Sequence, residues 1–234
     1  MLSSTIFREI TAHVQKRPEN PDPAPRPIKG GWLSWLCEPM PRAVISLGIT
    51  QIIGWGTTIY ALGVLAKPIA TDTGWRTDLV ILGITVALLA SSLVSTTVGR
   101  LIDRRGGRMV MLAGSAFVAL MQVAIALAPN LTGYLVAWAL LGLAMRLCLY
   151  DAAFAALVQV TPSRGRMAIS YLTLFGSFAS SIFWPIGHIL AEQFGWRTTF
   201  LIFAAMNLII CLPLHWWGLA AKEAVDAPND LPAA

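Results

Sequence analysis

The chain has 234 residues, 56% of them hydrophobic and only 12% charged, with a formal net charge of +5 and a mean hydropathy of +0.66. Such values exclude an ordinary soluble domain and point to a chain immersed in lipid. The positive charge falls in short loops and no basic face is present, which excludes nucleic acid as a partner.

Residues 1 to about 31 carry Pro18, Pro21, Pro23, Pro25 and Pro27, spaced too closely for helix and suited to a solvated, extended chain. We expect a cytoplasmic tail over residues 1–42, with Trp32 and Trp35 at the membrane interface. No apolar stretch follows the basic start, so the tail does not read as a signal peptide, and Met40 is a candidate initiator.

Six apolar runs follow, at 43–66, 77–98, 109–128, 133–160, 167–191 and 198–219. Each has about the twenty residues a helix needs to cross a hydrocarbon core of ~30 Å. Spanning segments must satisfy their own backbone hydrogen bonds, and these runs are too long for barrel strands. The expected fold is all-α, a polytopic membrane bundle of six helices, with a short cytoplasmic tail at 220–234.

Between the second and third runs lies Gly99-Arg100-Leu101-Ile102-Asp103-Arg104-Arg105-Gly106-Gly107-Arg108. Four arginines beside one aspartate cannot enter lipid, and positive loops stay in the cytoplasm. Arg26, Lys29, Arg42, Arg164, Arg166 and Lys222 join these four on one side, against Lys67, Arg76 and Arg197 on the other. Ten against three places both termini in the cytoplasm of a cell (inner) membrane protein.

Trp216 and Trp217 fall near the expected inner interface, Trp75 and Trp196 near the outer one. Gly74-Trp75-Arg76-Thr77 recurs as Gly195-Trp196-Arg197-Thr198. The recurrence reads as interfacial chemistry: Trp anchors at the headgroups, Arg reaches outward, and Thr caps the helix start. Cys37, Cys148 and Cys211 are too scattered for a disulfide or metal site, and the sequence calls for no metal or cofactor.

Charge inside a membrane costs about +2.5 to 3.5 kcal/mol on insertion scales, so Arg146 and Asp151 in the fourth run need an account. On one continuous helix Asp151 lies about 7.5 Å further along and roughly 140° around from Arg146, which excludes a simple same-face pair. Tyr150, at i+4, shares the face of Arg146. A guanidinium suits a carboxylate because it offers two parallel hydrogen bonds, so Arg146 with Tyr150 is the leading site for a small organic anion. Asp151 is the stronger candidate for proton coupling and His188 a weaker one. Ser170, Thr173, Ser177, Ser181, Trp184 and His188 form one stripe on the fifth run, bordering either a water path or a packing seam.

Taken together, the chain resembles the amino-terminal half of a transporter of the major facilitator superfamily. That family's loop signature after its second helix is matched by Gly99, Asp103, Arg104, Gly106 and Arg108, with Met109 in place of the last basic residue. Its glycines permit a tight turn, and Asp103 can accept hydrogen bonds from arginines or a helix start. Gly54-Trp55-Gly56-Thr57, Lys67-Pro68 and Gly74-Trp75-Arg76 resemble the monocarboxylate and oxalate/formate branch. In Trp184-Pro185, tryptophan replaces the glycine that drug antiporters carry before that proline, which argues against drug efflux.

The resemblance implies a 3+3 pseudo-repeat and a central cavity lined by the first and fourth helices. Gln51, Trp55 and Thr58, at i, i+4 and i+7, would then join Arg146 and Tyr150 as substrate-binding residues. A complete member has two six-helix halves, so this half would need a second half or a homodimeric partner for transport. The alternative is a truncated or non-transporting membrane protein that binds a solute or partner. An enzyme is not expected: the Gly-x-Ser-Gly motif of six-span intramembrane proteases is absent around Gly176-Ser177-Phe178, and His215 is poorly placed as a base for Ser177.

Overall fold

The computed structural model describes residues 38–220. The proline-rich tail, Trp32, Trp35, Cys37 and Lys222 lie outside the described residues. The described chain is helical throughout, as α1 (Pro39–Thr57), α2 (Ala61–Thr73), α3 (Thr77–Arg105), α4 (Gly107–Ala126), α5 (Leu131–Cys148), α6 (Tyr150–Val160), α7 (Gly165–Ser177), α8 (Ala179–Met206), a π-turn (Asn207–Cys211) and α9 (Leu212–Gly218).

These pieces combine into five stretches long and apolar enough to cross a membrane: Pro39–Thr73, Thr77–Arg105, Gly107–Ala126, Leu131–Val160 and Gly165–Gly218. The last has 54 residues, about 81 Å if straight and far more than one bilayer needs. It folds back at Gly195, whose φ of 76° and ψ of 165° lie in a region essentially reserved for glycine. Phe183 and Phe203, on either side of that residue, bring their ring centroids within 5.9 Å. The bundle therefore crosses six times, and the chain is a multi-pass membrane protein.

The first and fourth spans are broken within the bundle, beyond the short interruption at Phe178 between α7 and α8 and the π-turn of the sixth. The first opens between α1 and α2, where the Tyr60 amide reaches back to the Trp55 carbonyl at 3.1 Å. The fourth opens at Leu149, which is extended at φ −82° and ψ −165°. Gln51 Nε2 donates to the Cys148 carbonyl at that break, 2.9 Å away, so an α1 side chain satisfies a group at the end of α5.

Only 17% of the most apolar window of α3 is buried, against 61% for the first span, and Leu88, Leu89 and Leu93 face outward. One side of α3 nevertheless joins the core, through Val80 and Ala87 towards one end and Val98 and Ile102 towards the other. Tyr134, Trp138, Phe200 and Phe203 fill one end, and Leu47, Met111, Leu157 and Leu172 fill the end that carries the arginine loop.

Buried polar side chains tie the first, third and sixth spans together. Asn207 Nδ2 donates to Thr57 Oγ1, Gln122 Oε1 and the Phe203 carbonyl at 3.0, 3.2 and 3.0 Å. Gln122 Nε2 donates to the Thr57 carbonyl. His215 lies between Thr50 Oγ1 at 2.9 Å and Ser115 Oγ at 2.8 Å. Thr50 spends its proton on the Leu47 carbonyl, so it accepts from Nε2–H, and Nδ1 accepts from Ser115. His215 is thus occupied as a buried structural linker.

The recurring Gly-Trp-Arg-Thr segments differ from the interfacial reading. Gly74 and Gly195 both take positive φ, so the shared element is a turn. Trp196 is buried rather than anchored at headgroups, and its Nε1 donates to Asp72 at 2.9 Å. Arg197 stacks on Trp196 at 4.3 Å and donates to the Ala126 carbonyl at 2.6 Å. Neither Thr77 nor Thr198 caps a helix start by its side chain; the hydroxyl that donates to the Gly195 carbonyl belongs to the next residue, Thr199.

Candidate substrate site

Arg146 lies near the end of α5 and Asp151 in the first turn of α6, on opposite sides of the break at Leu149. Their charged groups meet, with Arg146 Nη1 2.5 Å from Asp151 Oδ2. The 140° separation expected on a continuous helix does not apply, because the extended Leu149 resets the rotation between the two segments. Arg146 Nη2 also donates to Ser95 Oγ on α3. The guanidinium thus bridges the second and fourth spans while 26% of its side chain stays exposed, against 58% for Asp151.

Tyr150 is separated from Arg146 by the same break and turns to an aromatic group. Its ring stacks on Phe154 at 5.0 Å and packs on Trp55 at 5.1 Å, with Tyr60 a further 6.4 Å from Trp55. Its hydroxyl occupies space that a Cβ at Gly176 would need, so the small residue on α7 makes room for the phenol. Gln51 and Trp55 are on the same side of α1. Gln51 Oε1 and Trp55 Nε1 are covered and have no hydrogen-bond partner among the described residues, leaving an acceptor and a donor unspent beside the break.

Thr58 departs from that face. It is buried at the end of α1, and its hydroxyl donates to the Gly54 carbonyl at 2.6 Å. His188 lies far along the fifth span, 3.3 Å from Glu192, in a pocket shared with Lys67, Pro68 and Asp72. The structure does not bring it to Arg146. Ser170, Thr173, Ser177, Ser181 and Trp184 form an exposed stripe, although Ser170, Thr173 and Ser177 turn their hydroxyls to carbonyls of their own helix.

The loop after the second span uses its two adjacent glycines differently. Gly106 takes φ +79° with open space around it, whereas a Cβ at Gly107 would overlap the Ala156 methyl. Gln159 on α6 grips both ends of the turn, accepting from the Gly107 amide at 2.8 Å and donating to the Ile102 carbonyl at 3.4 Å. Gly99, Asp103 and Arg104 are exposed, and Asp103 has no hydrogen-bond partner among the described residues. Arg108 lies over the Trp216 ring at 3.8 Å. Ser95 and Gln159 are partners that sequence reading missed; the hydroxyl-rich run Ser91, Ser92, Ser95, Thr96 and Thr97 was the only signal for the former.

Residues 44–232 match the model of the Major Facilitator Superfamily. The chain belongs to that superfamily. It is also similar to the multidrug resistance protein MdtG of Yersinia enterocolitica, with 29% identity over 146 residues, or 62% of this chain. The matched region covers 35% of that relative, so the chain spans about a third of the length of the curated protein it matches. Membership of a transporter superfamily implies a transporter rather than an enzyme, and none of the comparisons selects a branch within it.

Proposed function

We propose that this chain forms one half of a superfamily transporter for a small organic anion, and that Arg146 binds the anionic group. The observation that supports this most is a guanidinium held at a helix break by Ser95 and Asp151 yet still partly exposed. An entering carboxylate competes with Asp151 for the same two-pronged donor. Asp151 is the candidate coupling residue because it holds the guanidinium that the anion would take. Trp55 Nε1 and Gln51 Oε1 supply a donor and an acceptor for the rest of the solute, and Tyr150 with Phe154 gives it an aromatic wall. His188 is a second candidate for coupling, remote from this centre.

Both termini face the cytoplasm of the cell (inner) membrane in this reading, on the charge count across the loops. The working unit pairs this six-helix bundle with a second half or a second copy.

A second reading, movement of lipophilic aromatic compounds, is favoured by the Trp55–Tyr150–Phe154 wall and by the name of the similar MdtG protein. Binding measurements on the assembled protein separate the two, with benzoate as anionic probe and a lipophilic cation as its rival. The anion reading expects Arg146→Ala to lose about tenfold or more in benzoate affinity, from removal of a charge-assisted pair worth about 1.5–3 kcal/mol. Arg146→Lys should recover only part of it. Unchanged benzoate affinity in both variants overturns the anion site, and cation binding that depends on Trp55 favours the second reading. Proteoliposomes that bind solute without moving it would leave a membrane binding protein.

A further inference from the structure

We infer that the end of the sixth span beside the arginine loop is a binding site for an anionic phospholipid, with Arg108 and Arg42 at its headgroup and an apolar stripe of α4 for an acyl chain. The last turn of that span packs between the first turns of α1 and α4, where a Cβ at Gly218 would overlap the Ser46 side chain. Trp216 and Trp217 follow one another on this turn, half exposed, and point to different neighbours. Arg108 lies over Trp216 at 3.8 Å and Arg42 over Trp217 at 5.5 Å.

Stacking on an indole uses the face of a guanidinium and leaves its in-plane N–H groups unspent. Neither arginine has a carboxylate partner among the described residues. Arg42 Nε and Nη2 and Arg108 Nε are covered and unpartnered, while the other terminal nitrogens stay open. Water therefore solvates these two charges incompletely, and an anion at the open nitrogens gains more than it would at a free surface arginine. A phosphate has the oxygens that such forks bind in pairs.

The neighbouring surface argues for a lipid phosphate rather than a soluble one. Met109, Ala113, Ala116 and Leu120 are all exposed on α4 and recur at i, i+4, i+7 and i+11, one stripe that starts next to Arg108 and runs into the bilayer. The two alanines make its middle shallow, which suits an extended chain. Across from it, Ile209 and Pro213 of the sixth span are exposed above Trp216. Head and tail of one amphiphile thus meet matched surfaces, and basic sites between spanning helices at a membrane face are suited to anionic headgroups.

Native mass spectrometry of the full chain, purified from mixed phosphatidylglycerol and phosphatidylcholine micelles, tests this by counting retained lipids. Wild type should retain phosphatidylglycerol in preference. Arg42→Gln/Arg108→Gln should reduce that preference about tenfold, whereas Arg104→Gln/Arg105→Gln, which removes the same charge from the exposed turn, should leave it. Ala113→Trp keeps every charge, fills the stripe, and should also lower retention, so the test survives a misfolded arginine variant. Equal losses from both arginine pairs would mean diffuse attraction and overturn the site. So would full displacement by inorganic phosphate, which would make it an anion site without a lipid, or retention unchanged by both Ala113→Trp and the Arg42/Arg108 variant.

Discussion

Arg146 and Asp151 form a 2.5 Å ion pair across an extended residue, Leu149, that separates two helical segments of one span. The break lets two charges five positions apart meet, and it leaves the Cys148 carbonyl for Gln51. Replacing Gln51 with Leu removes that donor. The expected loss is about 1–3 kcal/mol, the cost of a buried carbonyl without a partner, read as a lower melting temperature in detergent. Substrate affinity should fall as well, because the break would no longer be held in register against α1.

Gly195 turns the chain between the fifth and sixth spans at φ 76°. Gly195→Ala should cost about 1–3 kcal/mol from backbone strain alone, since no atom lies within 4 Å of a Cβ built there. A melting curve that matches wild type would contradict the turn. Gly195→Asn should be no milder, because asparagine's tolerance of positive φ is confined to the left-handed helical region and ψ here is 165°.

Gln159 holds both sides of the arginine-rich turn. Gln159→Leu leaves the Gly107 amide unpaired, and backbone hydrogen exchange over residues 102–108 should rise by at least tenfold, as expected for about 1.4 kcal/mol of lost protection. The effect should be local, with the remote Trp138 core unaffected.

Asn207 joins the sixth span to Thr57 and Gln122. Hydrogen bonds between membrane helices average only about 0.6 kcal/mol, with a maximum near 1.7. Because Asn207→Leu removes two such links, a loss of about 1–2 kcal/mol is expected in unfolding titrations with a denaturing detergent. Combining it with Gln122→Leu should add less than the sum of the single changes, since the two side chains share one network.

Much of the fold was legible because hydropathy is a local property: the runs near Thr77, Gly107 and Leu131 announce their helices by composition alone. The family also showed itself in the Gly99–Arg108 loop, whose spacing needs no tertiary information. What escaped was set by partners distant in sequence. Leu149 is neither glycine nor proline, so nothing local marks the break, and the angle counted from Arg146 to Asp151 assumed a helix that is not continuous. Ser95 and Gln159 are ordinary polar residues whose roles depend on which span packs beside them. Trp196 read as an interfacial anchor because its neighbours resemble one, but Asp72 on another span draws it inward.

In the proposed mechanism a carboxylate solute and Asp151 compete for Arg146. Benzoate affinity at neutral pH, in wild type, Asp151→Asn and Arg146→Ala, tests it most directly. Asp151→Asn, which removes the competing carboxylate, should bind benzoate more tightly than wild type, and Arg146→Ala more weakly. If Asp151→Asn binds no more tightly than wild type, the two carboxylates do not share Arg146, and the proposed site is wrong.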